Sequence, residues 1–117
     1  MMGVRIYHNS RCSKSRGTLE LLRERGLEPE VVHYLDTPPS VEELKTLLRL
    51  LGMTPRQLLR TGEAEYEELG LADPAIADEG ILQAMAAHPK LIERPIVVAN
   101  GKAAIGRPPE AVLPILA

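Results

Sequence analysis

Along the chain, apolar positions switch between strand and helix spacing, and the switches divide it into short elements. Val4-Arg5-Ile6-Tyr7 is rich in β-formers and predicts a short strand that stops at His8-Asn9-Ser10-Arg11. From Ser13 the spacing is helical, with Ser15, Thr18, Leu19 and Leu22 on the pattern and Gly26 placed to cap the C-terminal end. Glu30-Val31-Val32-His33-Tyr34-Leu35 predicts a second strand, parallel to the first through a right-handed connection, and Asp36-Thr37-Pro38-Pro39 closes it. Ser40-Val41-Glu42-Glu43 is a capping box that opens a helix with Leu44, Leu47, Leu48 and Leu51 on one face, and Gly52 ends it. Thr54-Pro55-Arg56-Gln57 repeats the start signal, with Pro at the first helical position, and leads through Leu58 and Leu59 to Arg60.

Residues 61–77 are acidic and punctuated by Gly62, Gly70 and Pro74, with room for a helical turn or two in 63–69. Asp78 is expected to cap a helix carrying Ile81, Leu82 and Met85. After His88-Pro89, a strand Pro95-Ile96-Val97-Val98 meets the hairpin signal Asn100-Gly101 and an antiparallel partner, Lys102-Ala103-Ala104-Ile105. Pro108 and Pro109 open a final short helix through Val112, which Pro114 is expected to kink or end early. The order is β-α-β, a helical insertion of about forty residues, then β-β-α. That order predicts an α/β protein of thioredoxin-like arrangement with a mixed four-stranded sheet, as a single domain over residues 1–117.

Composition narrows the chemistry. With 117 residues, 44% hydrophobic, three Tyr and neither Phe nor Trp, the core must be aliphatic, and stacking on nucleic-acid bases is not expected. A single cysteine rules out an internal disulfide and multi-thiolate metal sites, and it suits a reducing compartment. No apolar run has the length of a signal peptide or membrane span, so a cytoplasmic, membrane-free protein is the expectation, and a monomer because no heptad or long apolar surface stripe is evident. Residues 1–25 hold six Lys/Arg against two Glu, while the remainder carries eight basic and fourteen acidic residues. A locally positive segment on an acidic chain suits a small anion better than a nucleic-acid backbone.

Within that segment Cys12 stands where a loop becomes a helix N-terminus, among Arg11, Lys14 and Arg16, a setting that favours thiolate over thiol. Ser15 occupies the second position of what would be a Cys-x-x-Cys pair, so an adduct on Cys12 requires an external thiol to resolve it. His8 either favours the thiolate or pins the turn, and the residues leave both open. Arg60, Arg94 and Arg107 are the distant candidates for holding an oxyanion, at a helix end, before a Pro-led strand and in a Gly-Arg-Pro-Pro loop. Arg94-Pro95, an X-Pro bond at a strand start, is a candidate for the cis form, and the sequence does not fix its isomer. His33 and His88 read as structural. Thr18 stands where a Cys-x5-Arg phosphatase loop would need arginine, and no Walker motif or metal-ligand spacing is present.

The stretches Ile6-Tyr7-His8-Asn9-Ser10-Arg11-Cys12-Ser13-Lys14-Ser15-Arg16, Tyr34-Leu35-Asp36-Thr37-Pro38-Pro39-Ser40, Gln57-Leu58-Leu59-Arg60, Leu91-Ile92-Glu93-Arg94-Pro95-Ile96-Val97-Val98 and Ile105-Gly106-Arg107-Pro108-Pro109-Glu110 resemble the glutaredoxin-dependent arsenate reductase family in sequence and order. The resemblance implies that Cys12 attacks arsenate held by Arg60, Arg94 and Arg107. It also implies that glutathione, as co-substrate, and glutaredoxin resolve the adduct, with His8 supporting the thiolate, Ser15 beside it, and no bound cofactor or metal. It departs from longer reductases of the family in stopping at Ala117 and in carrying Pro109 where some have Ser. Two alternatives accompany it. One is a redox regulator resembling Spx proteins, which bind RNA polymerase; Ser15 speaks against the Cys-x-x-Cys switch of that class. The other is a glutathione-dependent thiol reductase with a different substrate, which has less need of three converging guanidiniums.

Overall fold

The computed structural model describes residues 3–116, and it divides into two compact units. The first runs to Thr37 and resumes at Arg94; the second is Pro38–Glu93.

The first unit holds the sheet. Strand β1 (Arg5–Tyr7) leads into helix α1 (Ser13–Glu24) and then β2 (Glu30–Val32), which pairs with β1 in parallel with Ile6 opposite Val31. Strands β3 (Ile96–Ala99) and β4 (Lys102–Ile105) form a hairpin, and β3 lies antiparallel against β1, giving the order β2-β1-β3-β4. This is the expected mixed α/β sheet. Asn100 and Gly101 both have positive φ (55° and 72°), the conformation that a two-residue primed turn demands and that Asn-Gly tolerates best. Val4, Ile6, Leu22, Val97, Ala99, Val112 and Ile115 bury together, so one face of the sheet, α1 and the C-terminal segment share an aliphatic core.

The second unit is helical: α2 (Val41–Leu51), α3 (Pro55–Leu58), α4 (Ala64–Glu68) and α5 (Asp78–Ala87). Leu44, Leu47 and Leu48 of α2 and Ile81, Leu82 and Met85 of α5 are buried, and the two helices pack together. Ser40 accepts from the Glu43 N–H as its motif requires, and Thr54 with Gln57 forms a complete capping box.

Several boundaries differ from expectation. β2 ends at Val32 because the His33 carbonyl turns to accept from the N–H groups of Asp36 and Thr37. Ala77, not Asp78, is the N-cap of α5; Asp78 lies in the first turn, where its charge still faces the positive end of the helix. The last segment, Pro109–Ile115, is a 3-10 helix that continues through Pro114 instead of ending before it. A further 3-10 turn, Pro89–Leu91, follows His88. Arg94–Pro95 and Arg107–Pro108 are both cis.

Candidate active site

Cys12 is the N-cap of α1, 9% exposed, with extended backbone (φ −96°, ψ 124°) that turns the chain into the helix. The loop before it is fixed from within. Asn9 accepts from the Cys12 N–H through its carbonyl and from the Arg11 N–H through its side chain, both at 3.0 Å. Arg16 Nη1 donates to the Ser10 carbonyl at 3.0 Å.

Burial alone would push the Cys12 thiol up. The Ser15 N–H, the Arg94 guanidinium and the Lys14 N–H, aided by the Arg94 charge, outweigh it and hold the thiol below its ordinary value. Lys14 and Ser15 are the second and third residues of α1, so these are the unsatisfied N–H groups that every helix start offers. Arg107 Nη1 donates to Cys12 Sγ at 3.8 Å and to the Arg94 carbonyl at 3.2 Å.

The two arginines arrive together because of the hairpin. The register pairs Ala99 with Lys102 and Ile96 with Ile105, and the Gly106 N–H donates to the Pro95 carbonyl at 3.0 Å. Continued one pair outward, that register sets Arg94 against Arg107 at the open end. The signal was present in the sequence, since a two-residue turn at Asn100-Gly101 fixes every pair that follows.

His8 and Ser15 form a second buried group. Ser15 Oγ lies 2.7 Å from His8 Nδ1 and accepts from the Asn9 N–H at 2.9 Å, and both side chains are inaccessible or nearly so. The His8 imidazole is held below its ordinary value, first by burial and then by the charges of His33, Arg23 and Arg16. That shift favours the uncharged ring at neutral pH, and Ser15 links the ring to the Asn9 N–H of the loop. His33, read from sequence as structural, meets the His8 ring edge-on at 5.9 Å between centroids.

Arg60 belongs to the second unit. Its Nε contacts Glu63 at 3.3 Å, its Nη1 donates to Glu93, and its backbone N–H donates to the Leu91 carbonyl at 2.7 Å. Among the described residues no cluster of His, Cys, Asp or Glu could hold a metal ion, and no helix is long and apolar enough to cross a membrane.

A model of the ArsC family matches residues 7–115. The chain is 60% identical over 114 residues to the uncharacterised protein YfgD of Escherichia coli, covering 97% of this chain and 96% of that one. It is 51% identical over 117 residues to an arsenate reductase of Neisseria meningitidis, covering 99% and 100%. Among solved structures, an arsenate reductase from Vibrio cholerae superimposes with a TM-score of 0.95 at 56% identity, covering 97% of this chain and 98% of that one.

Proposed function

The chain belongs to the ArsC family, and we propose from that premise that it reduces arsenate to arsenite through a covalent adduct on Cys12. The observation that carries the reading is the convergence of two guanidiniums and two helix N–H groups on one buried sulfur. Such a site both ionises the thiol and offers positive charge to a tetrahedral oxyanion beside it.

In this reading the Cys12 thiolate attacks arsenic, an S–As bond forms, and one arsenate oxygen leaves as water after protonation. Arg94 and Arg107 hold the remaining oxygens, and Arg60 is the third ligand, which must share or leave Glu63 and Glu93 to act. Ser15 and His8 keep the loop and the first turn of α1 aimed at the site.

With no second cysteine in the chain, the electrons come from outside. Glutathione adds to arsenic as a second water leaves. A glutaredoxin thiolate then attacks the glutathione sulfur, forming a mixed disulfide, and the As–S electron pair passes to arsenic, reducing As(V) to As(III). Hydrolysis of the remaining Cys12–As bond releases arsenite and restores the thiol. The protein acts in this scheme as a cytoplasmic monomer with no bound cofactor.

The test is arsenate-dependent NADPH oxidation in a coupled assay with glutathione, glutathione reductase and glutaredoxin. Turnover in the native protein that disappears in Cys12→Ser is the expected result. A folded, fully reduced native protein without turnover would remove arsenate as the substrate.

A further inference from the structure

We infer that Thr18 is a positioning residue whose buried hydroxyl clamps the Gly106–Arg107 segment onto α1 and so keeps the Arg107 guanidinium on the Cys12 sulfur. The inference rests on Cys12 being the nucleophile of the proposed reaction.

Thr18 is fully buried in the second turn of α1. Its Oγ1 lies 2.8 Å from the Lys14 carbonyl, the usual back-bond of a helical threonine, and 3.3 Å from the Gly106 carbonyl, 88 residues away. A hydroxyl has one proton, so the two carbonyls share it. Lys14 does not need it, because the helix ladder already gives its carbonyl the N–H of residue 18. Among the described residues, Thr18 Oγ1 is a hydrogen-bond donor to the Gly106 carbonyl.

The peptide groups of Gly106 are thus held at both ends, its N–H by the Pro95 carbonyl at 3.0 Å and its C=O by Thr18. The fit leaves no slack. A Cβ at position 106 would overlap Thr18 Oγ1 and come within 2.9 Å of Pro95 Cγ. Arg107 is the next residue, and its direction is set by that fixed peptide. The preceding turn of the same helix supplies the Lys14 and Ser15 N–H groups to the sulfur, so Thr18 locks the hairpin's cation and the helix's dipole into one register.

A side chain that merely fills space would be replaced by Val at little functional cost. Positioning predicts otherwise. The readouts are the pH dependence of Cys12 alkylation by iodoacetamide, which needs no arsenate, and the arsenate concentration that half-protects Cys12 from it. In folded Thr18→Val the alkylation midpoint moves to higher pH and the half-protecting concentration rises about tenfold, as expected for one displaced charged donor. Thr18→Ser, which keeps the hydroxyl, restores both to within about twofold, and in an Arg107→Ala background Thr18→Val adds nothing. Should Val prevent folding, Thr18→Ala against Thr18→Ser makes the same comparison.

A folded Thr18→Val with the native alkylation profile and native protection would overturn the inference, as would a Thr18→Ser variant displaced as far as Val. A native protein that fails the coupled assay yet shows the Thr18 effect on alkylation would reject arsenate reduction while leaving the clamp standing.

Discussion

Arg94 and Arg107, in the sheet unit, reach a sulfur, Arg107 also donating to the Arg94 carbonyl, whereas Arg60 and Arg56, in the helical unit, reach only carboxylates and carbonyls among the contacts described. Arg56 spends its guanidinium on the carbonyls of Leu71, Asp73 and Ile76, at 2.8 to 2.9 Å, and so ties down the loop before α5. Arg60 is paired with Glu63 and Glu93, and Lys45 lies 3.3 Å from Glu79. A cation paired with neighbouring carboxylates or carbonyls organises the chain; one directed at a thiol favours its ionised form, and in the proposed reaction it also meets the arsenate oxygens. The same residue type therefore does different work, and its partner decides which.

The strongest way to break this comparison is to remove the arginines one at a time. Arg107→Ala or Arg94→Ala should lower kcat/KM for arsenate by about 10²–10³-fold, the cost of losing one preorganised donor to a developing oxyanion. Arg60→Ala should cost about tenfold, since its charge is already compensated. Equal losses at all three positions would mean that the ion pairs of Arg60 do not screen it.

The second test is pH. Alkylation of Cys12 should persist below the pH at which an ordinary thiol falls silent, and Arg94→Ala should move its midpoint upward. Linkage gives the sign for stability. Between the depressed folded pKa of Cys12 and the ordinary thiol value, the unfolded chain binds more protons, so stability is fully present above that window and lost as pH falls through it. Thermal melts of Cys12→Ser should lack this rise. His8 is also depressed, so stability falls as pH drops below the ordinary imidazole value, and His8→Gln should flatten that fall. A native melt that gains stability as pH drops through one of these windows would contradict the assignment of the group that titrates there.

Local signals carried much of this site. The thiol at a helix start, the hairpin turn and both capping motifs rest on neighbours within four residues, where sequence constrains geometry directly. The opposition of Arg94 and Arg107 was also legible, because a two-residue turn dictates the register of all that follows it. Other features were not. Glu93 meets Arg60 across 33 residues and Gly106 meets Thr18 across 88, and no periodicity reports such partners. His8 looked equally suited to charge support or to bracing; its burial beside Ser15 and His33, which bears on that choice, is a tertiary property. The C-terminal 3-10 helix escaped prediction because a proline that breaks an α-helix can be carried in a tighter turn that asks less of its neighbours' hydrogen bonds.

The gentlest perturbation acts on the helical unit alone. Glu93→Gln keeps the shape and an acceptor oxygen for Arg60 Nη1 but removes the carboxylate charge. Both side chains keep contact with solvent, at 20% and 30% exposure, so the loss of stability should stay below about 1 kcal/mol, as for partly solvated pairs. If Glu93 screens Arg60, its neutralisation should lower the KM for arsenate by up to about fivefold and leave Cys12 alkylation unchanged. If KM rises instead, Glu93 aims the guanidinium instead of cancelling it, and Arg60 joins Arg94 and Arg107 as a cation whose partner serves the anion. The direction of that small change separates a charge held in reserve from one already in place.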